Sequence, residues 1–217
     1  MSTRSNKYFW EECARLILLN LCGNEFLDLQ NSDRPDLCNS QWGIEVTRAL
    51  TTEEGKISKL SDDVMGKASH DLSSHEQDRL KSYNIRTHEL NGKIAAFCWP
   101  PQIISDNKVT DSFTRKLDRL NNGNYRFSTN YGLFIFTNIE CFGENEINQL
   151  MLKLHVLQEK CEIKFSRVFI SCIFNIFWHC DLVLKIHSDI DLQKHAKLFT
   201  DTIVPQAEQY CKKRSGH

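Results

Sequence analysis

Two carboxylates at a short interval are the residues of this chain with the clearest chemical potential. Asp33-Arg34-Pro35-Asp36-Leu37 is followed, after a polar stretch, by Gly43-Ile44-Glu45-Val46-Thr47. Asn39-Ser40-Gln41 has turn composition, so the two segments read as the strands of a hairpin. Folding about Asn39 and Ser40 sets Asp36 opposite Ile44 or Glu45. Adjacent carboxylates repel, and holding them together calls for a bridging divalent cation or a retained proton. Hard oxygen ligands around a hard cation suit phosphodiester hydrolysis. Asp36 and Glu45 are therefore the first candidates for a metal site.

The elements that must position this pair follow from periodicity. Lys7 to Cys22 reads as an amphipathic helix, with Trp10, Cys13, Ala14, Ile17, Leu18 and Leu21 on one stripe. Gly23-Asn24 is its stop. Glu11 lies on the flank of that stripe, whereas Glu12 points nearly opposite and is expected in solvent. Glu25 to Leu29 is expected as a first strand, Asp36 to Cys38 as a second and Trp42 to Thr47 as a third. Alternation puts Glu45 and Thr47 on one face, and Ile44 and Val46 on the other, against a helix. Thr51 and Glu54 have capping-box spacing, opening a helix to about Met65 with Ile57, Leu60 and Val64 inward.

The rest of the chain continues the alternation of helix and strand. Ser69 to Asn91 is polar and mixed, with a helix expected within Asp71 to Tyr83. Asp111 to Leu120 reads as a helix carrying a basic strip of Arg115, Lys116 and Arg119. Tyr131 to Thr137 is a buried strand, and Glu144 to Glu159 a helix with Ile147, Leu150, Met151, Leu154 and Leu157 on one side. Arg167 to Ile173 and Phe177 to Ile186 read as strands that pair around Asn175. Leu192 to Cys211 has some helical pattern. Interspersed strands and helices make an α/β layered domain around a mixed sheet, read as one domain over 1–217 with no internal repeat.

Composition narrows the function classes. The 217 residues are 41% hydrophobic and 25% charged, as in a globular chain. No apolar run reaches the ~18 residues of a membrane helix, so no membrane partner is expected. The polar start Met-Ser-Thr-Arg-Ser-Asn-Lys lacks an apolar signal core, so the expected location is cytoplasmic. The net charge of -1 means that nucleic-acid binding would need a local basic patch. The nine cysteines contain no C-x-x-C pair and read as free thiols in a reducing compartment. His179 and Asp181 fall on one strand face and Cys180 on the other, so these three make no nucleophile–base pair. Phosphate-binding glycine loops are absent, and His70, His75 and His88 lack metal-ligand spacing.

The order of elements over residues 7–67 is a helix with an acid, a strand, a Pro-Asp strand, a turn, an Ile-Glu-Val strand and a helix. It resembles the core of the PD-(D/E)xK nuclease superfamily, the restriction-endonuclease-like fold. The later helix with Arg115-Lys116-Leu117, then Tyr125, then Leu133-Phe134-Ile135, is similar to uncharacterised bacterial members of that superfamily. The resemblance implies a three-layer α/β/α fold with a central mixed sheet, its motif core at 7–67 and its remaining sheet and helices at 110–190. It implies Mg²⁺ (or Mn²⁺) held by Asp36, Glu45, the backbone carbonyl of Val46 and Glu11, with DNA as substrate. The chain departs from the pattern where the family has a lysine two residues after the glutamate. Thr47 stands there, and its hydroxyl hydrogen-bonds but carries no charge. The expected water-side partners are therefore Thr47 with a lysine from elsewhere: Lys56 and Lys59 are nearest in sequence, and Lys116 is remote. The rival expectation is a nuclease fold that has lost catalysis and binds a protein, as an immunity or regulatory module does. Thr47 and the near-neutral charge point that way.

Overall fold

The computed structural model describes residues 7–98, 107–123, 125, 128–137, 143–172, 177–190, 195 and 197–214. The helices in chain order are α1 (Lys7–Leu21), α2 (Thr52–Val64), α3 (Ser74–Ser82), α4 (Asn107–Asn122), α5 (Glu144–Gln158) and α6 (Val204–Arg214). The strands are β1 (Gln30–Asn31), β2 (Leu37–Cys38), β3 (Trp42–Arg48), β4 (Arg86–Leu90), β5 (Lys93–Cys98), β6 (Asn130–Thr137), β7 (Arg167–Cys172), β8 (Phe177–Asp181) and β9 (Ile186–Ile190). The described residues form two compact units, a larger one of 7–49 with 107–214 and a smaller one of 50–98.

The larger unit is built on a seven-stranded mixed sheet of order β1-β2-β3-β6-β7-β8-β9. β3, β6 and β7 run parallel, and the flanking pairs are antiparallel. β6 lies at the centre and is almost wholly apolar, as a parallel strand covered on both faces must be. Its alternate residues feed two cores. Phe134 and Phe136 join Ile44, Val46, Phe169 and Phe177 beneath α1 and α6. Leu133 and Ile135 join Val168 and Ile170 beneath α4 and α5. The result is the expected mixed α/β sheet between two helical layers.

Four local expectations are corrected. Glu25 to Leu29 is not a strand: a 3₁₀ turn occupies Asn24–Phe26, and only Gln30–Asn31 pairs. Gly23, at φ +94°, turns the chain out of α1, and the buried Phe26 and Leu29 have the three-residue spacing of a turn. Glu12 is buried, because Arg15 donates to it at 2.7 and 2.9 Å and Asn31 at 3.1 Å. Asn31 also bonds Tyr210 of α6, so α1 has neighbours on the side where the helix stripe alone shows solvent. The run Phe177 to Ile186 is broken into β8 and β9, since Asp181 Oδ1 accepts from the N–H groups of Val183 and Leu184 and turns the chain. Leu157 is exposed on α5, beyond the buried Ile147, Leu150, Met151 and Leu154.

The smaller unit holds α2, α3 and the β4–β5 hairpin. α2 opens with the expected capping box, both arms of Thr51 and Glu54 being made. Ile57, Leu60 and Val64 are buried on it, as the periodicity predicts. A second capping box, Ser73 with Glu76, starts α3. Leu60 and Val64 meet Leu72, Leu80 and Ile94 in a small core. Residues after Tyr83, expected only as a polar stretch, form β4 and β5. Asn91 and Gly92, at φ +52° and +71°, make the tight turn between Leu90 and Lys93.

Phe134 lies 4.8 Å from Phe136 and about 6 Å from Phe169 and Phe177, ring to ring. Replacing it by alanine empties the centre of that layer. Phe134→Ala is expected to cost about 3–5 kcal/mol in urea unfolding followed by circular dichroism. Leu27→Ala, at an exposed site, is expected to stay within about 0.5 kcal/mol of wild type.

Candidate functional site

The β2–β3 hairpin sets the first half of the site. Its register pairs Leu37 with Ile44 and Cys38 with Gly43, so the next step outward puts Asp36 across from Glu45. Gly43 lets the Pro-Asp segment lie flush on β3. A Cβ there would stand 2.8 Å from Pro35 Cγ and 2.8 Å from Ser128 Oγ, closer than side chains allow. The Arg34–Pro35 peptide is cis. Asp36 Oδ2 accepts the Val46 N–H at 2.8 Å, which fixes its carboxylate beside β3. Strand alternation sends Ile44 and Val46 into the layer of α1 and α6, and Glu45 toward α4.

The second half comes from α4. Phe113, Leu117 and Leu120 face the core, which leaves Lys116, Arg119 and Asn122 along a neighbouring flank at three-residue spacing. Lys116 Nζ donates to Asp36 Oδ2 at 3.0 Å and to Glu45 Oε2 at 2.5 Å. All three side chains are largely buried, 12% exposed for Lys116, 8% for Asp36 and 3% for Glu45. The Tyr125 phenol also hydrogen-bonds the Glu45 carboxylate. Gly123 makes room for that ring, since a Cβ there would lie 2.8 Å from Tyr125 Cε2 and 2.5 Å from the Arg119 carbonyl.

The Lys116 ammonium is shared by two buried carboxylates. Burial pushes the Glu45 carboxyl above its ordinary range; the Lys116 charge pulls it back, and the Asp36 charge pushes it up again. The Tyr125 phenol is also raised, first by burial and then by the charge of Glu45. The trio opens into a cleft of about 660 Å³, whose further lining includes Asp33, Arg34, Asp118, Arg119 and Asn122. Its rim thus mixes both signs. Such a site can hold a cation between the carboxylates, accept a proton on Glu45, or present Lys116 and two arginines to an anion.

The structure brings Asp36 and Glu45 together and adds Lys116, the remote candidate, to both. Val46 takes part through its N–H to Asp36. Thr47 is half-buried on the same strand face as Glu45, paired across to Ile135 of β6. Lys56 and Lys59 are exposed on α2, in the smaller unit. Glu11 is buried on α1, where its charge acts on the Cys211 thiol of α6. α1 packs with Ile44 and Val46, on the sheet face opposite the one that Glu45 presents to α4. No cluster of three or more His, Cys, Asp or Glu with metal-holding geometry occurs among the described residues.

Other expectations resolve simply. His179 stacks on Phe169 at 4.9 Å between centroids, and burial lowers its pKa. Cys180 is core, and burial pushes its thiol up to about 12. Cys13, Cys22, Cys38, Cys161, Cys172, Cys180 and Cys211 are free thiols. No described helix is long and apolar enough to cross a membrane. The chain matches no protein family, no curated protein and no solved structure. Tyr125 enters the sequence reading only as part of the resemblance, with no role assigned to it. Its signal is its place just after Gly123, where a helix ends beside the Lys116 flank.

Removing the shared cation leaves two buried like charges. Lys116→Met is expected to cost about 3–5 kcal/mol at neutral pH. The sign of the pH effect follows from the raised Glu45 pKa. Above the ordinary carboxylate value of ~4.3, the folded protein holds a proton that the unfolded chain has lost, so stability falls as pH rises to the folded value. Without Lys116 that window reaches higher. The gap between variant and wild type should therefore narrow as pH falls from 7 toward 5, measured by urea midpoints; a gap independent of pH contradicts the assignment.

Proposed function

We propose that this protein is a metal-dependent nuclease-like hydrolase of the PD-(D/E)xK kind, cytoplasmic and acting on phosphodiester bonds in DNA. The observation that carries the reading is the convergence of Asp36 Oδ2 and Glu45 Oε2 on one cationic centre, the Lys116 ammonium, at 3.0 and 2.5 Å. Two hard anionic oxygens aimed at one point suit a shared Mg²⁺ or Mn²⁺, so the donor set fits such an ion. Asp36, Glu45 and the carbonyl of Val46 would hold it. When bound, the ion supplies charge to the phosphate oxygens and lowers the pKa of an attacking water.

The chain's own residues divide the remaining work. Asp36 and Glu45 bind the cation, and the Val46 N–H orients Asp36. Lys116 takes the charge that Thr47 does not supply, reaching the carboxylates from α4 instead of from β3. In this reading it balances negative charge and orients the water. Tyr125 holds the Glu45 carboxylate. Arg34 and Arg119, at the mouth of the cleft, are placed to meet phosphate.

A second reading draws on the mixed rim of that cleft, with Asp33 and Asp118 beside the arginines, and on the net charge of -1. A duplex calls for a more basic surface than this. An inactive nuclease fold that binds a protein would keep Lys116 as a permanent counter-charge.

Calorimetry with Mg²⁺ and Mn²⁺, paired with cleavage assays on the same samples, separates the two. Binding and cleavage are expected in wild type, with both lost in Asp36→Ala/Glu45→Ala. Lys116→Ala is expected to lower cleavage by about 10²–10³-fold. Lys56→Ala/Lys59→Ala should retain cleavage within a few-fold. Absence of both binding and cleavage in wild type would favour the protein-binding module.

A further inference from the structure

Several large apolar side chains of α5 and of the β8–β9 turn are exposed. Leu152 and Val156, one turn apart on α5, are 60% and 65% exposed, and Val183 and Leu184 of the β8–β9 turn are 70% and 65% exposed. Ile186, which begins β9, is exposed as well. Leu152 and His155 share a groove of about 120 Å³ with Leu182 and Lys185. His187 of β9 bonds Asn148 of α5 at 3.1 Å. The turn is held in shape, because Asp181 Oδ1 accepts from Val183 N at 2.9 Å and Leu184 N at 2.8 Å. An ordered turn that keeps two large apolar side chains in water marks a surface that something covers. Beside it β9 is the last strand of the sheet among the described residues, so its outer edge presents backbone donors and acceptors.

We propose that this edge docks a second copy of the chain, β9 pairing antiparallel with β9 of that copy about Ser188. Side-chain pairing selects both the occupant and the register. Pairing centred on Ser188 sets His187 opposite Asp189 of the second copy and Asp189 opposite its His187, so a twofold axis makes the complementary pair twice. His187 and Asp189 lie on one face of β9, opposite Cys180 and Trp178 of β8, which is the face that α5 covers. Sliding the strands by one residue opposes side chains of different faces. Sliding them by two sets His187 against His187 or Asp189 against Asp189. The strand is thus complementary to itself in one register. This inference stands apart from the reading of the cleft.

The test is mass by light scattering on the full chain at micromolar concentration, with circular dichroism to confirm folding. Wild type is expected at twice the 25.3 kDa of one chain. Asp189→Lys removes the carboxylate that accepts from His187, and His187→Glu sets glutamate against aspartate, so each variant alone is expected to run as a monomer. Mixed together, the two variants should restore the dimer. The lysine introduced in one copy then meets the glutamate introduced in the other, and the remaining His187 meets the remaining Asp189. A wild type of 25.3 kDa overturns the proposal. So does a dimer that survives either single variant, or a mixture that stays monomeric.

Discussion

Two carboxylates kept side by side out of water constitute the demand around which the larger unit is arranged. Asp36 and Glu45 are 8% and 3% exposed in their side chains, and unpaired charges at that depth would unfold a marginally stable chain. Donors from distant parts of the chain answer the demand. The Val46 N–H belongs to the hairpin itself, Tyr125 follows the end of α4, and Lys116 crosses from the middle of that helix. The sequence distances involved are large, 80 residues from Lys116 to Asp36 and 71 to Glu45. The site therefore exists only once α4 has docked on the sheet. Its integrity reports on the tertiary fold and not on the hairpin alone.

The scaffold supplies that docking through ordinary packing. Phe113, Leu117 and Leu120 of α4 sit with Leu133, Ile135 and Phe165. Their burial fixes the rotation of the helix, and the rotation aims Lys116 at the cleft. Two close approaches refine the aim. Gly43 lets Pro35 settle on β3, and Gly123 lets Tyr125 settle on the end of α4. A side chain at either place would move a segment that carries a site residue by some tenths of an ångström or more. Such displacements matter in a site whose electrostatic balance depends on contacts of hydrogen-bond length.

Much of this was legible in the chain. Period-two alternation around Glu45, turn residues at 39–41 and the Pro-Asp pair placed the two carboxylates together, and the structure has them so. The apolar run of β6, the stripe of α1 and the capping box of α2 were equally plain. What stayed hidden depends on partners far away in sequence. Glu12 looks solvated on a helix wheel, yet Arg15, Asn31 and the neighbouring α6 bury it. Glu11 looks available to the pair, yet α1 lies over the other face of the sheet. Lys116 is remote in sequence and adjacent in space. Nearness along the chain is a poor guide to which cation reaches a buried anion, because helix docking decides it. The β4–β5 hairpin is a different case: Asn91-Gly92 announces it locally, and reading the segment as a polar stretch overlooked a plain turn signal.

The proposed cation site rests on Asp36 and Glu45, whose carboxylates the Lys116 ammonium bridges. Crystals soaked in Mn²⁺ and measured at an anomalous wavelength test it most directly. The account predicts one strong anomalous peak within about 2.0–2.4 Å of a carboxylate oxygen from each residue, with Lys116 Nζ moved away from the point between them. A map without a peak there, with Lys116 still bridging the two carboxylates at saturating Mn²⁺, would contradict it.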